Sequence, residues 1–342
     1  MTLYAPSTII PIYGVFTAVG ILLTILRFFV RAFVSRTSPS RNPFGWDDLF
    51  VLIGLLIVST CAGIQFYNSI HGNAGKATST ATKDHEAILE YQIDFAMLVI
   101  EKPAFGAIKL SLLFFYARIF GHWPSFRRIN RWLMAIIVLW ALSFMLADIL
   151  LCGTHPEYHW ILDQVPNKAR CGDKGLLLIL FGLTSVITDA FVVGLPLFYI
   201  RRLRLRRSKR VAACGVFLLG GLSTLAGLLR TIFLCVAYPR GRLTWGYISP
   251  PEAKLPLALK IINPTFWVMM EMLFGVWAAN LPTLAPLVRI ISNRYRASKA
   301  YRKFSRSDST ADKAKFEIYT KPSKTADDSR KDSGVTSDES LP

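Results

Sequence analysis

Ionisable residues lie inside the long apolar stretches of this chain, and at five of them chemistry is expected. They are Lys109, Asp148, Asp189, Arg230 and Glu271. In a membrane, an ionisable group at mid-bilayer costs at least about 2.5–3.5 kcal/mol by insertion scales. An ionisable group at this depth therefore either serves a function or is stabilised by a partner of opposite charge. Each of the five is therefore a candidate site residue.

Depth along the predicted helices suggests how these residues pair. At a rise of about 1.5 Å per residue, Lys109 and Asp189 lie about 20 Å from the same predicted edge, and Arg230 and Glu271 about 9–12 Å from it. We predict the pairs Lys109–Asp189 and Arg230–Glu271, while Asp148, near its helix end, is expected to reach water. Two interpretations stay open. The pairs only hold the helices together, or they line a polar cavity where a ligand competes with one pair and shifts the helices.

Other catalytic patterns are missing from the sequence. The five histidines, at positions 71, 85, 122, 155 and 159, fall in predicted loops and form no metal-spaced pair on a helix. No CxxC pair, P-loop or dinucleotide fingerprint occurs. The sequence therefore predicts no enzymatic activity, no metal site and no cofactor.

Composition places the chain in a membrane. The 342 residues are 52% hydrophobic and 18% charged, with a mean hydropathy of +0.38, whereas soluble domains are about 45–50% apolar and about 25% charged. Backbone groups in lipid must be satisfied internally, so each crossing segment must be a helix. We predict an all-α seven-transmembrane bundle with spans at 8–30, 48–68, 95–120, 132–152, 175–200, 211–238 and 262–288.

The distribution of basic residues predicts the orientation. With the N-terminus outside, 27 Lys and Arg residues fall in inner segments and 9 in outer ones, as the positive-inside rule requires. The formal net charge of +18 therefore reflects topology, and no nucleic-acid partner is expected. We predict two regions: a bundle over 1–290, and a basic, Ser/Thr-rich, disordered cytosolic tail over 291–342. The basic loop 201–210 is expected to bind anionic lipid or, alternatively, an acidic cytosolic signalling partner.

Several short motifs together resemble a known family. They are Gly45-Trp46-Asp47-Asp48, Lys109-Leu110-Ser111, the run from Phe115 to Phe120, Cys152 with Pro156, Trp160 and Cys171, Thr188-Asp189 with Pro196, and Glu271 with Leu281-Pro282 and Pro286. Their order and spacing over roughly residues 12–289 resemble the fungal rhodopsin-like integral membrane proteins. That family includes pathogenicity-related receptor-like proteins and membrane proteins encoded in mycotoxin gene clusters such as the satratoxin clusters.

The resemblance implies a receptor-like or cluster-associated membrane protein. Two departures bear on its function: His71-Gly72-Asn73-Ala74-Gly75 replaces a Gly-x-Gly-x-His-like stretch, and no cysteine-rich region precedes the first span. A ligand is therefore expected to meet the loops or the bundle. Retinal is not expected, because its Schiff base needs a Lys inside the last span and residues 261–288 contain none.

Two of the motifs also have a physical interpretation. Asp47 is expected to cap the second helix. The negative charge of Asp48 is expected to interact favourably with the positive end of the helix dipole, and Trp46 is expected to lie at the lipid headgroups. The alternative is that this motif serves a cytosolic contact or a switch. Cys152 and Cys171 flank an outer loop in an oxidising compartment. A disulfide there would stabilise the fold by roughly 3 kcal/mol in the entropy model.

Three classes of function follow. The first is receptor-like sensing of an extracellular small molecule or surface cue, which rests on the topology, the bridged outer loop and the resemblance. The second is transport or a channel, and the third is support of a biosynthetic cluster by export or scaffolding. The expected location is the plasma membrane, with an endomembrane as the alternative.

Overall fold

The structure is a computed structural model that describes residues 6–37, 44–70, 85–159, 171–201, 207–237, 243–244, 247–248 and 265–284. Within these residues the chain forms seven long helices. They are α1 (Pro6–Thr37), α2 (Trp46–Ile70), α3 (His85–Phe120), α4 (Pro124–Ile149), α5 (Lys174–Arg201), α6 (Arg207–Ala237) and α7 (265–284). A short 3₁₀ helix (Pro156–His159) follows α4. Strands β1 (Leu243–Thr244) and β2 (Tyr247–Ile248) pair antiparallel.

Five of the helices are long and apolar enough to cross a membrane. The candidate spans are Ile10–Phe33, Trp46–Tyr67, Pro124–Ile149, Lys174–Tyr199 and Phe217–Val236. The other two helices, α3 and α7, carry ionisable or amide side chains inside their apolar stretches: Glu101, Lys102 and Lys109 in α3, and Glu271 and Asn280 in α7. All seven predicted spans fall on helices. The all-helical fold class is confirmed, and the seven-span count stays a prediction.

The predicted helix ends differ most for α3 and α4. Helix α3 begins at His85, well before the predicted start at 95, because polar residues precede its apolar run and hydropathy does not detect them. Helix α4 begins at Pro124, whose fixed φ suits the first helical turn, instead of at 132. Both helices extend beyond the apolar stretch that a bilayer requires.

Helix α3 lies at the centre of the bundle and contacts α2, α4, α5 and the 3₁₀ helix. Between 101 and 113 all but one of its residues are buried. Large apolar side chains point outward from the other helices; examples are Leu22, Leu56, Leu139 and Leu218. Charged groups inside with leucines outside is the arrangement expected when lipid, and not water, surrounds the helices.

The predicted tail and most of the basic loop lie outside the described residues. Residues 289–342 lie outside the described residues. In the loop 201–210, residues 202–206 and the side chains of the rest lie outside them as well. The tail and the loop's partners stay predictions.

Candidate functional site

A network of buried polar side chains, here called the central network, crosses the middle of the bundle. Its members come from four helices: Lys109 of α3, Ser185, Thr188 and Asp189 of α5, Arg230 of α6 and Glu271 of α7. It contains both ion pairs that depth along the helices predicts.

Lys109 anchors one end of the central network. Its ammonium lies 2.9 Å from Oδ1 of Asp189. It also donates to Oγ1 of Thr188 at 2.7 Å and to both the hydroxyl and the main-chain oxygen of Ser185, at 3.2 and 3.1 Å. A buried cation is tolerated only when it is paired and hydrogen-bonded, and α5 supplies all four contacts. Lys109 thereby fastens α3 to α5.

Arg230 and Glu271 form the other end. Nη2 of Arg230 lies 3.1 Å from Oε2 of Glu271, and both residues are 2% exposed or less. The hydroxyl of Ser185 donates to Oε1 of Glu271 at 2.9 Å while it accepts from Lys109. One serine therefore joins the two pairs, and four helices share a single electrostatic network.

Aromatic rings enclose the cations of this network. The ammonium of Lys109 lies 4.6 Å from the ring centre of Trp140. Cζ of Arg230 lies 5.1 Å from the ring centre of Phe181 and 5.6 Å from that of Phe105. Rings attract cations over their faces and keep the local dielectric low. A change at any one charge is therefore felt strongly by the others.

Close packing of α6 positions the carboxylate of Glu271. A Cβ added at Gly227 would lie 2.9 Å from Cδ and Oε1 of Glu271, which is closer than real side chains approach. The hydroxyl of Ser223, one turn before Gly227, donates to the main-chain oxygen of Glu271 at 2.9 Å. The small residues of α6 thus allow the helix to lie directly against α7 at the network.

A second group, the loop-side cluster, consists of Glu101, Lys102 and Asp148. Nζ of Lys102 contacts Oε1 of Glu101 closely and lies 3.2 Å from Oδ2 of Asp148. All three residues are at least 96% buried. The expectation that Asp148 reaches water is therefore wrong: α4 turns this residue toward α3, where Lys102 is its partner.

A third group, the DD cluster, joins α1 to the start of α2. Arg27 donates to Asp48 from Nε and to Asp47 from Nη2, each at 2.7 Å. Its Nη1 donates to the main-chain oxygen of Ala279 at 2.7 Å. Arg31 contacts both carboxylates closely. The cluster thus fastens α1, α2 and α7 at one end of the bundle.

The predicted capping role of Asp47 is wrong. Helix α2 begins at Trp46, so Gly45 holds the N-cap position, and its N–H donates to Oδ2 of Asp48 at 3.0 Å. Asp48 therefore supplies the returning half of a capping box, while Asp47 is committed to Arg27 and Arg31. Trp46 is 66% exposed, as expected for a headgroup position.

At the opposite end, a disulfide holds the loop beside α3. Cys152 and Cys171 are bonded, with an S–S distance of 2.06 Å, and the bridged segment contains the 3₁₀ helix. There the ring of His159 lies 4.3 Å from that of Phe95. Burial, with a smaller contribution from the positive charge of Lys174, lowers the pKa of His159 from 6.5 to about 4. His159 is therefore neutral at physiological pH.

Sequence reasoning missed three parts of this arrangement. Arg27 lies within the first predicted span and is fully buried. Its charge inside an apolar stretch could have identified it as a buried residue with a partner. Glu101 and Lys102 were visible as charges in a span, but their partner on α4 was not. Ser185 gave one signal: it precedes Asp189 by one helical turn and therefore shares its face.

The chain resembles curated fungal proteins along much of its length. It is 25% identical over 287 residues to the wortmanamides biosynthesis cluster protein C of Talaromyces wortmannii, which covers 82% of this chain and 71% of that protein. It is 30% identical over 126 residues to the satratoxin biosynthesis SC1 cluster protein 4 of Stachybotrys chartarum, covering 36% and 46%. It is 24% identical over 229 residues to the receptor GIN3 of Arthrobotrys oligospora, covering 65% and 51%.

The chain thus spans about half the length of the satratoxin protein and of the receptor. No solved structure matches it. The profile of the fungal rhodopsin domain matches residues 26–290, which include the DD cluster, the loop-side cluster and the central network. The match covers well over half of the 342 residues, and the chain belongs to the fungal rhodopsin domain family.

Proposed function

We propose that this chain is a receptor-like membrane protein in which a small molecule acts on the central network. One observation carries the proposal: Ser185 joins two buried ion pairs from four helices into one network. A ligand group that competes with either pair would change the partner of the other through this hydroxyl. Helices that are fastened mainly by such contacts would then shift. The similarity to a receptor supports the same class of function.

The proposal includes the topology that the basic residues predict. Seven helices cross the plasma membrane, with the N-terminus outside and both the 201–210 loop and the 291–342 tail in the cytosol, where anionic lipid or a signalling partner meets them. The protein is not an enzyme and holds no retinal. In intact cells, a protease should leave a tag at the C-terminus untouched. Cleavage of that tag would overturn the orientation.

A ligand screen on the full chain in lipid nanodiscs tests the function. Organic extracts of fungal cultures are the probe, and a rise in unfolding temperature is the readout. Ser185→Ala should reduce the stabilisation that an active fraction gives. The matched control is Thr224→Val, because that hydroxyl donates to the main-chain oxygen of Gly220 in its own helix. An active fraction that stabilises Ser185→Ala as well as the native chain would place its binding elsewhere and contradict the proposal.

The alternative is a role in a secondary-metabolite cluster through export or scaffolding. The names of two of the relatives above, both biosynthesis cluster proteins, favour it. Proteoliposomes separate the two functions. If proteoliposomes accumulate an active compound and protein-free liposomes do not, export is supported. If the compound stabilises the protein but does not cross the proteoliposome membrane, the receptor is supported.

A further inference from the structure

The Arg230–Glu271 pair is held by charge but is incomplete in its hydrogen bonds. Nη2 of Arg230 and Oε2 of Glu271 lie 3.1 Å apart. These two atoms and Nε of Arg230 are buried, and within the described residues none of the three makes a hydrogen bond. A buried polar atom that makes no hydrogen bond costs free energy, which a suitable partner would recover. The pair therefore offers two donors and one acceptor to a ligand.

The positions of these atoms define the group that would fit. Nε and Nη2 of Arg230 form one edge of the planar guanidinium and point their N–H groups in parallel, so one acceptor group can meet both. Oε2 of Glu271 lies next to this edge, whereas Oε1 already accepts from Ser185. A matching ligand group therefore has an acceptor for Arg230 beside a donor for Glu271.

The charges of the central network favour a neutral group. The cations of Lys109 and Arg230 balance the carboxylates of Asp189 and Glu271. A ligand carboxylate would accept from Arg230, but it would bring a third negative charge against Oε2 of Glu271 in a buried site. An ammonium would satisfy Glu271 but would place a third positive charge beside Arg230. A neutral donor and acceptor satisfies both residues and keeps the balance.

A further buried donor lies one helical turn away. Nε1 of Trp267 makes no hydrogen bond in the part of the chain that the structure describes. Trp267 precedes Glu271 by four residues on α7, and its ring centre lies 6.4 Å from that of Phe233, three residues after Arg230 on α6. The two rings thus extend the same contact between α6 and α7 with apolar surface. An aromatic or alicyclic ring attached to the neutral group would pack against them.

We propose that the ligand of the central network carries a primary carboxamide or a lactam, which binds between Arg230 and Glu271. In both groups an N–H lies on the same side as the C=O. The carbonyl oxygen accepts from Nε and Nη2 of Arg230 while this N–H donates to Oε2 of Glu271. An open-chain secondary amide is trans, so its N–H and C=O point in opposite directions and it satisfies only one of the two residues. This inference rests on the proposed function, because it names the chemical class of that ligand.

Fragment binding to the full chain in lipid nanodiscs tests the proposal. The probes are several aryl ring systems, each prepared as a primary amide, an N,N-dimethylamide and a carboxylate, and empty nanodiscs are the blank. Saturation-transfer NMR supplies the dissociation constants. The primary amide of a ring system that binds should bind at least about tenfold more tightly than its two analogues, since each analogue loses a hydrogen bond to a charged group. Equal affinities within a series, tighter binding of the carboxylates, or no binding of any amide at millimolar concentration would overturn the proposal.

Two variants locate the binding and separate this inference from the proposed function. Arg230→Lys keeps the charge but removes the parallel N–H groups, and it should weaken the primary amides at least about tenfold, whereas the control Thr224→Val should leave their affinity unchanged. Amide binding that weakens in Arg230→Lys but not in Ser185→Ala would support this inference and contradict the role of Ser185 in the proposed function. Fragment binding that weakens in Ser185→Ala with no preference for amides would keep the proposed function and overturn this inference. Amide binding that both variants leave unchanged would contradict both. The comparison within each fragment series uses the native chain, so it decides the matter even if Arg230→Lys does not fold.

Discussion

Reversing the charges of Lys109 and Asp189 should destabilise the bundle in one step and partly restore it in two. Lys109→Asp removes the ammonium that lies 2.9 Å from Oδ1 of Asp189 and adds a second carboxylate to the same buried region. Removing one partner of a buried pair costs about 3–5 kcal/mol, because the other charge is left uncompensated. Asp189→Lys alone should cost a similar amount, because two ammoniums then face each other.

The double variant should regain only part of this loss, for a reason visible in the contacts. A carboxylate at 109 can pair with a lysine at 189 and accept from Thr188, which now accepts from Lys109. It cannot replace the hydrogen bond to the main-chain oxygen of Ser185. The hydroxyl of Ser185 has one proton and already donates it to Glu271. A residual loss of about 1–3 kcal/mol is expected from the groups left without partners.

A double-mutant cycle measured by detergent-induced unfolding in mixed micelles is the appropriate assay. The expected coupling between the two reversals is at least about 2 kcal/mol, well above the error of such cycles. Lys109→Asp combined with Asp173→Lys, at an acid outside the network, serves as the mismatched control and should show no rescue. If the true reversal is no better than this control, the pair does not hold α3 to α5 and the argument fails.

Three further predictions test the central network and the disulfide-bonded loop that contains His159. Thr188→Val removes an acceptor of the Lys109 ammonium and should cost about 1–2 kcal/mol of unfolding free energy. The isosteric Thr224→Val, whose hydroxyl donates to Gly220 of its own helix, should change this free energy by less than about 0.5 kcal/mol, and equal effects of the two variants would contradict the network. Gly227→Ala should cost about 1–3 kcal/mol through overpacking against the carboxylate beside it, whereas Gly221→Ala, with nothing within 4 Å, should be neutral or stabilising in the same assay. The pKa of His159 is about 4 in the folded chain against 6.5 ordinarily, so the unfolded chain binds the proton more readily and stability should fall by about 1–2 kcal/mol as the pH drops from neutral to about 5. His159→Phe should flatten that dependence in thermal unfolding, and an unchanged slope would refute it.

The sequence determined the helices and the charges that they bury. The length of an apolar stretch can be read from consecutive residues, so each long helix that the structure describes could be located. A charge in lipid is energetically costly, so Lys109, Asp189, Arg230 and Glu271 could be selected as candidates. Depth along a helix follows from residue number alone. For this reason the sequence could propose which charges pair without any knowledge of helix order.

Only the tertiary structure decided which face of each helix meets another. The sequence of a helix that is apolar around most of its circumference says little about which side faces its neighbours. For this reason the sequence predicted wrongly that Asp148 reaches water and that Asp47 caps α2. Packing turned Asp148 toward Lys102 and both aspartates of α2 toward Arg27. The close approach that Gly227 permits brought α6 against Glu271. Ser185 became the link between two ion pairs because rotation and contact, which hydropathy does not encode, placed its hydroxyl between them.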